Sequence, residues 1–225
     1  MNEYYARTIN LIGEEGLNKL QNSSVAVFGV GGVGSFAAEA VARAGVGNIA
    51  LIDGDVIVKS NINRQLLATV ENIGEEKTKA MACRIKSVAP FAKVTEIQGF
   101  YPQTSVDLKT FDFIIDAIDD VAAKTELIKN ATNSNVPIIS SMGAGNRLSP
   151  ELFEISDIYK TKIDPLARVM RKKLKELGIK NLPVVYSKEI PRAVKDKSLI
   201  GSISFAPSAA GLIMAGYVVR KLLNL

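Results

Sequence analysis

Short apolar runs recur along this chain, each followed by a longer segment of mixed polarity. The run VAVF at residues 25–28 ends in glycines, and small residues suited to a closely packed helix follow it to Arg43. NIALID, residues 48–53, reads as a second buried strand ending at Asp53. GEEKTKAMACRIKSVAP predicts a helix stopped by Pro90, with its lysines and arginine on the outer side and Cys83 in the core. AKVTEIQ alternates as a strand, FDFIIDAID gives another strand followed by a helix over residues 121–133, and VPIISSMGAG is one more strand, breaking at glycines. Apolar strands alternating with helices predict a parallel sheet covered on both faces.

After Gly145 the alternation stops. LFEISDI predicts an edge strand, and residues 164–177 predict a helix with Asp164 as its cap and Pro165 in its first turn. Residues 198–219 carry no charge, a stretch long enough to cross a bilayer. Four serines, a proline and three glycines there favour a strand and loop first, then a buried terminal helix over residues 208–223. The expectation is an α/β fold, Rossmann-like and doubly wound, with a mostly parallel sheet and a basic C-terminal extension. Residues 1–148 form the core, and residues 149–225 form the extension, packed on the same domain.

Composition narrows the chemistry. The 225 residues include no histidine and one cysteine. Histidine bases, Ser-His-Asp triads, histidine metal ligands and an internal disulfide are thereby excluded. The acidic N-terminal segment lacks the apolar core of a secretion signal, so a cytoplasmic protein without a membrane anchor is expected. Net charge is +5, and its distribution is uneven: residues 154–198 hold 12 Lys/Arg against 6 Asp/Glu, and the remainder holds 16 against 17. That excess fits either a solvated helix face around RKKLKELG or a patch for a polyanion such as RNA.

In an open parallel sheet, ligands sit beyond the carboxyl ends of the strands. The unusual polar residues of this chain fall at those ends. Gly29, Gly31 and Gly34, with Gly32 between them, spell GxGxxG, where bare backbone and a helix N-terminus favour phosphate. Asp53 is placed to accept bonds from ribose hydroxyls. These features alone fit NAD as well as any other nucleotide. The stretch DGDVIVKSNINRQ adds Asp55, Asn61, Asn63, Arg64 and Gln65, and Lys77 follows. A dehydrogenase needs no such cluster, whereas a triphosphate with a leaving pyrophosphate needs added cations and donors. Asp116, Asp119 and Asp120 in DAIDD end the fourth strand, where carboxylates can hold Mg²⁺ against phosphates or cap the next helix.

Together GVGGVGS, LIDGDVIVKSNINRQ, IGEEKTKA and DAIDD resemble the ThiF/MoeB/HesA adenylating enzymes, relatives of the ubiquitin-activating enzymes. The resemblance implies ATP and Mg²⁺ as cofactors and an acyl-adenylate as intermediate. It assigns ribose to Asp53, phosphates to Asn61, Arg64 and Lys77, and Mg²⁺ to Asp119; Asp55, Gln65 and Asp116 complete the expected nucleotide contacts. Arg7 matches an N-terminal arginine that reaches into a partner subunit's ATP site, which implies a homodimer. The chain departs from the family's protein activators by lacking paired CxxC motifs and a catalytic cysteine. Its second half, from SSMGAGNRLSPELFEISDIYK through GSISFAPSAAG, is similar to one subgroup, which dehydrates threonylcarbamoyladenosine beside the tRNA anticodon.

That resemblance implies adenylation of the threonyl carboxylate, then closure by the neighbouring carbamoyl group with loss of AMP. An intramolecular nucleophile needs neither cysteine nor histidine. The basic segment 160–197 then acquires a tRNA client, with Lys160, Lys162, Arg168 and Arg171 as candidate contacts, and residues 143–147 and 202–204 are expected to line the acceptor pocket. A sulfur-transfer partner of the cysteine desulfurase system is a further expected association. The alternative reading is an adenylyltransferase for the C-terminus of a small sulfur-carrier protein. A non-catalytic, nucleotide-dependent RNA-binding module ranks third, and NAD-linked oxidoreduction last.

Overall fold

The computed structural model describes residues 2–196 and 199–225. Lys197 and Ser198, at the end of the basic segment, lie outside the described residues. A helix, α1 (Ala6–Gln21), opens the fold and is followed by β1 (Ser24–Phe28), α2 (Gly34–Ala44), β2 (Asn48–Asp53), α3 (Lys77–Val88), β3 (Lys93–Gln98) and β4 (Phe113–Asp116). Then come α4 (Val121–Asn133), β5 (Ile138–Ser141), β6 (Phe153–Asp157), α5 (Pro165–Glu176), β7 (Pro183–Ser187) and α6 (Phe205–Leu223). The seven strands form one sheet in the order β3-β2-β1-β4-β5-β7-β6. All pairings are parallel except β6 with β7. This is the expected Rossmann-like sheet, with β6 as the expected edge strand.

Side chains alternate across a strand, so the apolar strands feed two cores. Val25, Val27, Ile49, Leu51 and Ile115 face α2, α3 and α6. Ala26, Phe28, Ile52 and Ile114 face α4 and α5, meeting Leu127, Ile128 and Met170. The basic extension supplies β6, β7, α5 and α6 to this same sheet and its two covering layers.

Several elements differ from expectation. The N-terminal helix α1 and strand β7 are not signalled by the sequence pattern; α1 buries only Leu17 and Leu20, and VVY at the centre of β7 is too short a run to show periodicity. Between β7 and α6 the described residues form no strand, and the helix begins at Phe205, with Pro207 in its first turn where an amide donor is dispensable. Cys83 is exposed, not in the core. On α3 the inward stripe is Lys77, Thr78, Met81, Ala82 and Ile85, and Cys83 lies about two steps of ~100° from Met81. Lys77 therefore points inward, against the expectation for the lysines of this helix. Among the described residues no helix is long and apolar enough to cross a membrane.

One close approach fixes the active end of the sheet. Gly29 has φ +83°, and a Cβ on Gly34 would lie 1.8 Å from the Gly29 carbonyl oxygen. The N-terminus of α2 is thus packed directly on the glycine loop. Gly34→Ala is expected to lower stability by about 1–3 kcal/mol, the usual range for overpacking, measured by urea denaturation.

Candidate active site

The sheet order reverses between β1 and β4, and the carboxyl ends of those strands open a crevice. A cavity of ≈ 920 Å³ occupies it, lined in part by Gly29, Gly31, Gly32, Asp53, Asp55, Arg64, Gln65, Lys77 and Asp119. The cavity continues past the end of β5 along Ser141, Met142, Gly143, Ala144 and Gly145 to Ile200 and Ser202. A second cavity of ≈ 690 Å³ lies where β4, β5 and β7 begin, beside Phe113, Pro137 and Pro183. It contains none of the residues marked by the sequence.

Asp53 is the hinge of the nucleotide end. Its Oδ2 accepts from the Val30 amide at 2.6 Å, and its Oδ1 accepts from the Asp55 amide at 2.9 Å. The carboxylate that ends β2 thus holds the glycine loop. Burial raises the Asp53 pKa, opposed by the charge of Lys77 and by these two amide bonds. Residues 55–57 pair back onto residues 74–77 through Ile57 N to Glu75 O and Lys77 N to Asp55 O. This brings the Lys77 ammonium to 2.6 Å from Asp55 Oδ2, with the lysine side chain 7% exposed and the aspartate 54%.

The SNINRQ segment is a tight turn. The Asn61 carbonyl accepts from the amides of Arg64 and Gln65, and the Asn61 side-chain oxygen accepts from the Val58 amide at 3.1 Å. Arg64 donates to Ser60 O at 2.7 Å and to Asn63 Oδ1 at 2.9 Å, while Asn63 donates to Ser202 O at 3.0 Å. Gln65 is 7% exposed, and its Oε1 has no partner. A buried acceptor left unpaired costs about 1–3 kcal/mol, so this atom favours a ligand that brings a donor.

The carboxylates of DAIDD have three separate positions. Asp119 lines the cavity and makes no hydrogen bond or ion pair among the described residues. Asp120 caps α4, accepting from the Ala123 amide at 2.7 Å. Asp116 was expected at the nucleotide; it is instead fully buried against the Lys124 ammonium at 2.8 Å. Removing one partner of such a pair typically costs about 3–5 kcal/mol. Two other expected contacts also stand behind the wall. Asn61 is 6% exposed and shapes the turn that presents Arg64, and Gly34 packs on the glycine loop. Arg7 is exposed on α1, away from this cavity.

Of the expected acceptor residues, Asn146, Arg147, Ile203 and Ser204 do not line the cavity, and Gly143, Ala144, Gly145 and Ser202 do. Arg147 is buried behind them, ion-paired with Asp164 at 3.3 Å, while Asp164 also caps α5 as expected through the Ala167 amide at 2.8 Å. Sequence reasoning missed the apolar wall of Ile52, Phe100 and Tyr101, whose aromatic residues follow β3 as GFY. It also missed Lys124, one more lysine of a helix by sequence.

On α5, Ala167, Met170 and Leu174 turn inward. Lys160, Lys162 and Arg168 are exposed, together with Lys172 and Lys175 on the outer face of the helix. Arg171 is half-buried, and its guanidinium is engaged by the Thr161 carbonyl at 3.0 Å and by the Thr161 hydroxyl. Leu166, in the first turn of α5, reaches the cavity, so the cationic helix begins at its rim.

This glycine loop, buried strand-end carboxylate and paired lysine at a sheet reversal mark a nucleotide-binding enzyme, and the chain belongs to the ThiF family, which matches residues 5–225. It is 42% identical to the tRNA threonylcarbamoyladenosine dehydratase of Bacillus subtilis, across 98% of this chain and 94% of that protein. Two crystal structures of E. coli tRNA N6-threonylcarbamoyladenosine dehydratase, TcdA, share the fold along 99% of this chain and 95% of theirs. The complex with AMP gives a TM-score of 0.91 at 30% identity, and the complex with ATP gives 0.90 at 31%.

The raised pKa of Asp53 sets a sign. In the folded protein its protonated form is favoured relative to the unfolded chain, so its contribution to stability is greatest at low pH and falls as pH climbs through the raised value. Wild type is expected to lose stability relative to Asp53→Asn as pH rises from the ordinary carboxylate range, followed by urea denaturation at each pH.

Proposed function

We propose that this protein is an ATP-dependent tRNA threonylcarbamoyladenosine dehydratase. The observation that carries the reading is one continuous cavity, which joins the phosphate-side residues Arg64, Lys77 and Asp119 to the glycine-rich wall at 143–145. In the proposed reaction the threonyl carboxylate oxygen attacks the α-phosphorus of ATP, and the bond to pyrophosphate breaks. The carbamoyl group then closes on the activated carbonyl and AMP leaves with the former carboxylate oxygen. The nucleoside ends one water lighter.

Each residue has a task in this scheme. Asp53 receives the ribose hydroxyls, and Ile52 and Phe100 give the base an apolar wall. Lys77 turns from Asp55 to the phosphates, and Arg64 and the glycine-loop amides offset charge as it moves to the departing pyrophosphate. Among the described residues no group of three or more metal-ligating side chains occurs. Mg²⁺ on nucleotide phosphates usually takes only one or two carboxylates with waters and phosphate oxygens, so the unpartnered Asp119 fits it. Bound there, Mg²⁺ would supply charge neutralisation at the leaving pyrophosphate.

Two further parts of the reading rest on surfaces. Leu11 is 84% exposed one turn along α1 from the exposed Arg7, and Tyr4, in the turn before the helix with its ring against Phe91, is 70% exposed, so apolar surface flanks the arginine. Such apolar surface around an arginine suits α1 packing on a second copy and delivering Arg7 to its cavity. The cationic face of α5, starting at the cavity rim, suits the phosphates of a tRNA bound with its modified base in the cavity. A tRNA client places the protein in the cytoplasm.

Incubation with ATP, Mg²⁺ and tRNA bearing threonylcarbamoyladenosine should yield AMP and a nucleoside lighter by one water, read by mass spectrometry. AMP release that depends on a small carrier protein instead would overturn the assignment. Arg64→Ala and Asp119→Ala should each lower turnover by at least about a hundredfold. Mixing inactive Arg7→Ala and Arg64→Ala subunits should restore about a quarter of wild-type activity if Arg7 acts across a dimer, and none if it acts within its own chain. Affinity for tRNA should fall steeply with salt, and Arg168→Glu/Lys172→Glu should shallow that slope by roughly two contacts.

A further inference from the structure

We infer that Lys124 is a positioning residue for Asp119, acting through Asp116. The inference rests on the reading of Asp119 as the carboxylate that faces Mg²⁺ on the nucleotide. Lys124 and Asp116 are both at 0% side-chain exposure, so the ammonium reaches no ligand itself. Its one carboxylate partner, however, is tied to the cavity wall. Asp116 Oδ2 receives Lys124 Nζ at 2.8 Å and the Ser140 hydroxyl at 2.5 Å, while Oδ1 accepts from the Ile118 amide at 3.1 Å.

The Ile118 amide belongs to the turn that carries Asp119. That turn is held at one end by Asp116 and at the other by Asp120, whose side chain caps α4. Asp119 has no bond of its own among the described residues, so the backbone between these anchors sets where its carboxylate stands. The Ala117 amide donates to the Phe28 carbonyl at 2.8 Å, which fixes the same turn beside the glycine loop. Lys124 also donates to Ser140 at 3.1 Å, and the next residue, Ser141, lines the cavity. One buried ammonium therefore sets the phosphate side and the acceptor side relative to each other. Without it Asp116 loses the ammonium that holds its Oδ2, the carboxylate is free to turn toward other donors, and its hold on Ile118 changes.

The test uses purified full-length protein. Affinity for a non-hydrolysable ATP analogue is measured by calorimetry with Mg²⁺ and with EDTA, beside kcat and KM for ATP. Lys124→Met leaves a buried carboxylate uncompensated, so Asp116→Asn/Lys124→Met, which removes both charges, carries the test wherever the single variant fails to fold. The double variant should lose about tenfold or more of the Mg²⁺-dependent gain in affinity, with kcat falling and metal-free affinity nearly unchanged. Ser140→Ala, which keeps both charges, should show a smaller loss in the same direction. Wild-type Mg²⁺ dependence and kcat in a folded double variant, or an unaltered Ser140→Ala, would overturn the proposal. Asp119→Asn separates the two readings. If it abolishes the Mg²⁺ gain while the pair variants keep it, only the role of Lys124 fails; if it too keeps the gain, the assignment of Asp119 fails first.

Discussion

The active end of this protein depends on a contact between two pieces of backbone. A Cβ on Gly29 would lie 2.6 Å from the Ala117 carbonyl oxygen, so the glycine loop after β1 and the turn after β4 touch with no side chain between them. Parallel strands β1 and β4 are neighbours in the sheet, and their following segments diverge to opposite faces. Only where they part can a ligand reach the ends of both strands. The contact brings the glycine-loop backbone and the Asp119 carboxylate to the same crevice. Asp53 braces the loop from the β2 side by bonding the Val30 amide. The loop is thus held from two strands, and little of its order has to be supplied by a nucleotide on binding.

The parts of this arrangement that follow from local order are legible in the sequence. An apolar run ending in glycine marks the first strand end, and spacing from it marks Asp53. Crowded donors in SNINRQ mark a triphosphate, and the lack of histidine and of CxxC motifs removes rival chemistries. What depends on tertiary burial is not legible. Asp116 and Asp119 are two carboxylates of one short motif, yet one is sealed in the core and the other faces the cavity. Lys77 and Lys124 lie in helices whose polar residues normally face water, and each points inward to a carboxylate. Cys83 misleads in the other direction, because a cysteine in a helix is usually core but here the inward stripe is filled without it. Gly29, Arg64, Gln65, Lys77 and Asp119 in the cavity are legible by resemblance and spacing; its aromatic wall and the charges that support it from behind arise only in three dimensions.

Those supporting charges follow a pattern. Behind the Asp119 turn stands Asp116–Lys124, and behind the glycine wall at 143–145 stands Arg147–Asp164, both pairs essentially without solvent. A Cβ on Gly143 would meet Asp164 Oδ2 at 3.1 Å, so the second pair lies against the glycine wall as the first lies against the Asp119 turn. Buried ion pairs are poor sources of stability, since well-packed apolar residues of similar volume often do as well or better. What they offer is direction: a carboxylate that bonds a cationic side chain and a backbone amide at once fixes a loop that apolar packing would leave free to slide. A reaction that joins two parts of one substrate needs this more than it needs a reactive side chain. With no cysteine or histidine in the cavity, the rate depends on holding the adenylate and the closing carbamoyl group in line. On this view the chain's catalytic demand is met largely by the placement of backbone, and the buried charges lie where that placement is set.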